Sequence, residues 1–197
     1  MKKIAVLGSS SGQNLKAIAN YFADKSVSVV AVSDIENSDF LKVAKELDLD
    51  WKFLPNEQNF EYFSSHNFDL VAISDYRSEL KSDIFELGEY LNLHPSLLPS
   101  FKGADAISRA FLSGVKVSGI TILRVKDDLC SGKILAQYPV LIGNLTHFDE
   151  FKSEILSLAD VLYPIVIDKI LNNQVFDFQD LITASSNCKG CGGCTKS

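Results

Sequence analysis

Asn92 and His94 stand two positions apart at the end of a short apolar stretch, Tyr90-Leu91-Asn92-Leu93-His94, and Pro95-Ser96-Leu97-Leu98-Pro99 follows at once. On a strand, side chains two apart leave the same face, so the two polar groups converge. An Asn amide and a cationic imidazole aimed at one carbonyl oxygen supply what is needed to stabilise the oxyanion of acyl or formyl transfer. The two prolines stiffen the turn that holds the pair. A second group that can do chemistry lies at the other end of the chain, in Cys188-Lys189-Gly190-Cys191-Gly192-Gly193-Cys194. Its C-x-x-C-x-x-C spacing suits an iron–sulfur cluster of the 4Fe-4S type, and four thiolates also suit tetrahedral zinc. Cys130 is the one further cysteine and so the expected fourth ligand. The segment before Cys188, if extended, reaches on the order of 50 Å, enough to bring the tail to Cys130.

A third candidate is the loop Gly8-Ser9-Ser10-Ser11-Gly12-Gln13-Asn14 between a strand and a helix. Free N–H groups and the helix dipole at such a junction favour an anion, so Ser11, Gly12, Gln13 and Asn14 read as a phosphate cradle. The Gly-Lys-Ser/Thr of a P-loop is absent, and the glycines do not fit the dinucleotide spacing. His66 and His147 have no comparable context and read as surface or cap residues.

The elements that must position these groups alternate. Ile4 to Leu7, Val27 to Val32, Trp51 to Leu54, Asp69 to Ile73 and Tyr90 to His94 read as strands. Leu15, Ile18, Ala19 and Phe22, then Phe40, Val43, Ala44 and Leu47, give helical stripes, and a further helix is expected around Phe60 to Ser65. Val117 to Val125 and Lys133 to Ile142 have no helix between them, so they are expected to pair antiparallel across Asp127-Asp128-Leu129-Cys130-Ser131-Gly132. A last helix is expected to start at Thr146, with Asp149 completing a capping box, and to run towards Leu171 with a bend at Pro164. The pattern predicts an α/β fold: a doubly wound, mostly parallel sheet with a late antiparallel hairpin. One domain over residues 1–175 and a cysteine-containing tail over 176–197 are expected.

Composition narrows the partners. With 197 residues, 46% of them apolar, the chain can bury one sizeable core but not two. The run Ile4 to Leu7 breaks at Gly8 and reads as a first strand, not a signal peptide. No apolar run is long enough for a membrane span. A net charge of −6 offers no electrostatic footprint for nucleic acid. Three cysteines crowded at one end are unlike a secreted disulfide scaffold, so a reducing, cytoplasmic setting is expected. The oligomeric state is left open.

Asn92-Leu93-His94-Pro95-Ser96-Leu97-Leu98-Pro99 resembles the active-site signature of the 10-formyltetrahydrofolate-dependent formyltransferases, a family that includes the phosphoribosylglycinamide, methionyl-tRNA and sugar N-formyltransferases. Phe101-Lys102-Gly103-Ala104, Ser108-Arg109-Ala110 and Ser118-Gly119-Ile120-Thr121-Ile122 extend the resemblance, and Ser11-Gly12-Gln13-Asn14-Leu15 is similar to the loop with which the glycinamide enzymes hold a phosphate. The resemblance implies 10-formyltetrahydrofolate as formyl donor and a small amine as acceptor, in purine biosynthesis. It implies catalysis by Asn92 and a protonated His94, and a folate pocket bordered by Leu80, Val125, Asp127 and Asp128. Two departures stand out. The family's catalytic Asp, in a Leu-Asp-x-Gly turn, is here Cys130, and the Glu with which the glycinamide enzymes receive the amine is here Ala159. The alternative reading is a formyltransferase-derived metalloprotein, holding its metal through Cys130, Cys188, Cys191 and Cys194.

Overall fold

The computed structural model describes residues 1–177. Seven strands form one sheet in the order β3-β2-β1-β4-β5-β6-β7. The strands are β1 Lys2–Leu7, β2 Val27–Ser33, β3 Asp50–Phe53, β4 Leu70–Ser74, β5 Tyr90–His94, β6 Val117–Val125 and β7 Gly132–Leu141. The helices between and after them are α1 Gln13–Phe22, α2 Asp39–Glu46, α3 Asn59–Ser65, α4 Ala106–Leu112 and α5 Phe148–Leu171. The first five strands in sequence pair parallel, and β6 runs antiparallel to both β5 and β7. This is the doubly wound sheet with a late hairpin that the alternation predicts.

The central strands are buried on both faces, which is why Ile4-Ala5-Val6-Leu7 and Leu70-Val71-Ala72-Ile73 read as unbroken apolar runs. Ile4, Val6, Ala72, Leu91 and Leu93 pack with α1 and α5 in one cluster, whereas Ala5, Leu7, Val71, Ile73 and Tyr90 pack with Phe63, Ile84 and Phe85 in another. Each such aliphatic side chain fully removed from water is worth about 1.5–3 kcal/mol. The long helix α5 is fixed to the sheet by Tyr163, whose hydroxyl lies 2.9 Å from the carbonyl oxygen of Ile73 and 2.8 Å from that of Leu91. Phe176 also packs in the first cluster, so the described core extends past the end of α5.

Local differences from the sequence expectation have physical causes. The cap of α5 sits one residue later than Thr146 and Asp149 suggest: His147 is the N-cap, and Glu150 accepts its backbone N–H at 3.1 Å. Thr146 instead accepts the Gly143 N–H, closing the preceding loop. Pro164 lies inside α5, which runs on to Leu171. Helix α4 was not foreseen, because its seven residues give under two turns of apolar spacing, Ala106 and Ala110 buried with Ile107 and Phe111 partly so, too short a stripe to stand out. Among the described residues no helix is long and apolar enough to cross a membrane.

Candidate active site

Strand β5 places Asn92 and His94 on the face opposite Leu91 and Leu93, and both polar side chains are only 5% exposed. Buried polar groups need partners, and theirs come from two neighbouring loops. The Asn92 amide nitrogen donates to the Leu129 carbonyl at 2.6 Å. His94 Nε2 lies 3.0 Å from the Phe101 carbonyl oxygen, and its Nδ1 lies 3.7 Å from Cys130 Sγ. A carbonyl only accepts, so Nε2 carries the proton, and Nδ1 is left as an acceptor facing the thiol. The sulfur also receives the Gly103 N–H at 3.4 Å.

The pair therefore meets two adjacent residues of one turn, Leu129 and Cys130. Burial pushes the His94 imidazole below its usual range, the Arg109 charge pushes it the same way, and the Phe101 hydrogen bond opposes both only in part. These effects favour the neutral imidazole, and Cys130 does not supply the carboxylate that would offset them by holding an imidazolium.

The turn between β6 and β7 is folded over this face by its own side chains. Asp128 accepts the Cys130 N–H at 2.7 Å, and the Ser131 hydroxyl reaches Asp127 at 3.4 Å. Gly132 enters β7 at φ 142°, and a Cβ there would lie 1.9 Å from the Arg124 carbonyl oxygen. Leu80 and Val125 are buried in the apolar cluster beneath the turn, against which Leu129 packs. Thus Leu80 and Val125 belong to the core under the turn, whereas Asp127 and Asp128 spend their carboxylates on the shape of the turn.

Sequence reasoning missed the clamp on the other loop. Arg109 on α4 donates through Nε to the Ala104 carbonyl at 3.0 Å and through Nη2 to the Phe101 and Lys102 carbonyls. Phe101, Gly103 and Asp105 all have positive φ, so the loop needs such a fork to hold its carbonyls inward. The Phe101 oxygen is shared between Arg109 and His94. Thr121 of β6 and Gln137 of β7 secure the turn after β5. Thr121 donates to Ser96 and accepts from the Leu98 N–H, and Gln137 donates to the Leu98 carbonyl. Arg109 stood in the motif Ser108-Arg109-Ala110, but only its contacts reveal its work.

At the start of α1, Gly12 is left-handed at φ 70° and no side chain caps the helix. The Gln13 and Asn14 amides donate to the two oxygens of Asp160 at 2.5 and 2.7 Å. Asp34 accepts from Ser9 and Ser78, and Asp75 accepts from Ser10. Carboxylates therefore surround the loop read as a phosphate cradle, and Ser11 contributes only a long contact to the Gln13 N–H. Ala159 is buried in the core and faces no site. A separate cavity of about 620 Å³ lies at the opposite end of the strands, lined by Lys2, Asp69, Glu89, Arg124 and Lys133 among others.

Among the described residues no group of three or more His, Cys, Asp or Glu side chains is placed to hold a metal. Cys188, Cys191 and Cys194 lie outside the described residues. Within them, Cys130 has nitrogen neighbours, His94 and Gly103, and no second sulfur.

A doubly wound sheet that buries an Asn–His pair under the turn of its last hairpin has the build of a group transferase. The chain belongs to the formyl transferase family, whose model matches residues 2–167. It is 30% identical over 186 residues to the phosphoribosylglycinamide formyltransferase of Bacillus subtilis (strain 168), covering 87% of this chain and 95% of that one. The methionyl-tRNA formyltransferase of Thermotoga neapolitana is 30% identical over 121 residues, 60% of this chain but 39% of its own. Among solved structures, the phosphoribosylglycinamide formyltransferase from Anaplasma phagocytophilum superposes with a TM-score of 0.79 at 29% identity, with 87% of each chain covered. That from Bacillus halodurans gives 0.80 at 25% identity, covering 89% of this chain and all of that one.

Proposed function

We propose that this protein transfers a formyl group from 10-formyltetrahydrofolate to a small amine, in the manner of the phosphoribosylglycinamide formyltransferases. The observation that carries the reading is the Asn92 amide donating at 2.6 Å to a carbonyl oxygen, that of Leu129, at the bottom of the site. That oxygen stands in for the formyl oxygen. When donor substrate enters between the turn and β5, the formyl carbonyl takes the place of Leu129, and Asn92 then holds the alkoxide that forms as the amine attacks. Neutral His94, with Nδ1 free to accept, is the base for the amine proton. Leu80 and Val125 give the apolar floor on which a folate ring can lie, with Asp127 and Asp128 shaping the turn above it. Ser11, Gly12, Gln13 and Asn14 face the acceptor.

The test is a turnover assay with 10-formyltetrahydrofolate and phosphoribosylglycinamide, with tetrahydrofolate release followed by absorbance, repeated with unphosphorylated amines. Amine-dependent release that is lost in Asn92→Ala supports the reading. Failure to bind a non-reactive folate analogue, or release equally fast in Asn92→Ala, overturns it.

A further inference from the structure

Replacing a carboxylate by a thiol beside His94 does more than remove a negative charge. An aspartate beside the imidazole orients it and stabilises its charged form, whereas a thiol next to an imidazole acceptor is a nucleophile beside its base. The structure gives this pair its proton inventory. Because Nε2–H is committed to the Phe101 carbonyl, the free lone pair of His94 is on Nδ1, and the one partner this nitrogen has among the described residues is Cys130 Sγ at 3.7 Å. The imidazole is 5% exposed, so water does not compete freely for that lone pair. The Asn92 amide lies over the carbonyl of Leu129, the residue before Cys130, so oxyanion donor and sulfur address neighbouring atoms. Gly103 N–H, 3.4 Å from Sγ, is placed to stabilise negative charge on sulfur. Nucleophile, base, base-orienting carbonyl and oxyanion donor are all present.

We propose that Cys130 carries the formyl group covalently, so that transfer proceeds through an S-formyl enzyme in two steps. The inference rests on the formyltransferase reading above. In the first step His94 Nδ1 takes the thiol proton while sulfur forms a bond to the formyl carbon, and the carbonyl electron pair moves to the oxygen held by Asn92. Collapse restores the carbonyl and breaks the bond from carbon to the folate nitrogen, which leaves with the proton from His94. Tetrahydrofolate is released and Cys130 holds the formyl group as a thioester. In the second step the acceptor amine attacks the same carbon and its proton passes to His94. The carbon–sulfur bond then breaks, and the thiolate recovers that proton. Nothing is oxidised or reduced, and the net change is the exchange of a formyl group for an amine hydrogen.

The experiment incubates the full chain with 10-formyltetrahydrofolate in the absence of any amine, quenches it in acid and locates the modification by peptide mass mapping. The expected result is one equivalent of tetrahydrofolate released in a burst, and the Cys130 peptide heavier by one CO unit. The adduct should disappear when an accepting amine is added before the quench. It should persist when Cys188, Cys191 and Cys194 are all changed to Ser, and it should be absent in Cys130→Ala. With amine present, Cys130→Ala is expected to slow transfer by about a hundredfold or more. The inference is overturned, and the formyltransferase reading left standing, if wild type turns over with amine but never shows the adduct and Cys130→Ala keeps pace with it. If wild type neither releases tetrahydrofolate nor binds a folate analogue, both fall together.

Discussion

At the scale of the residue, the site turns on the charge of one imidazole. His94 has its ionisation pushed down by burial and by Arg109. Below the ordinary value of about 6.5 the unfolded chain takes up a proton that the native state refuses, so stability falls as pH drops from there towards the lowered native value. Above about 6.5 the contribution is fully present. Denaturation midpoints measured from neutral pH down to about 5 should therefore decline more steeply for wild type than for His94→Gln, and equal slopes would refute the assignment. Asn92 carries the complementary expectation. Loss of an oxyanion donor costs about 10²–10³ in kcat, so Asn92→Ala should lose that much while still binding a folate analogue. Neither the neutral state of His94 nor its tautomer was legible in the sequence. The tautomer depends on Phe101 and through it on Arg109, while the lowered ionisation depends on burial and on the Arg109 charge, and no local pattern encodes these contacts.

At the scale of the element, the strand ends do the positioning and short irregular pieces do the aiming. β5 was legible because its apolar residues alternate with Asn92 and His94, and the β6–β7 hairpin because no helix intervenes. Helix α4 and the loop before it were not, since Ala106, Ile107, Ala110 and Phe111 give less than two turns of apolar spacing. Yet α4 presents Arg109 to three carbonyls of the loop before it, those of Phe101, Lys102 and Ala104. Arg109→Ala should release the loop and raise the His94 pKa, so kcat falls and the acid limb of the pH–rate profile moves to higher pH. Arg109→Lys keeps the charge but not the fork, so the limb should stay close to wild type while kcat still drops. If both variants move the limb alike, the fork and not the charge sets the ionisation of His94, whereas wild-type kcat and limb in Arg109→Lys would mean that the role of Arg109 is charge alone and the clamp is incidental. Melting temperatures should change little, because the side chain is exposed.

At the scale of the molecule, the sheet separates two jobs. In the proposed reaction the end where β1 and β4 meet α1 takes the acceptor, and the turn over β5 takes the donor. Both folate and a phosphorylated amine bring negative charge to a chain whose net charge is −6. The acceptor end concentrates that sign, since Asp34, Asp75 and Asp160 all hold side chains of the loops there. Asp160 matters most, because its two oxygens occupy the Gln13 and Asn14 amides that would otherwise greet a phosphate. Removing one unit charge about 4 Å from a phosphate in a water-like medium relieves about 1 kcal/mol of repulsion, or about fivefold in affinity. Asp160→Asn should accordingly lower KM for phosphoribosylglycinamide by about that factor while leaving KM for an uncharged amine near the wild-type value. The ratio of the two KM values, measured at low and at high salt, checks the cause. A purely electrostatic effect shrinks as salt screens it, whereas a gain from the freed amide donors persists. An unchanged ratio at low salt would mean that the acceptor does not approach through the α1 loop.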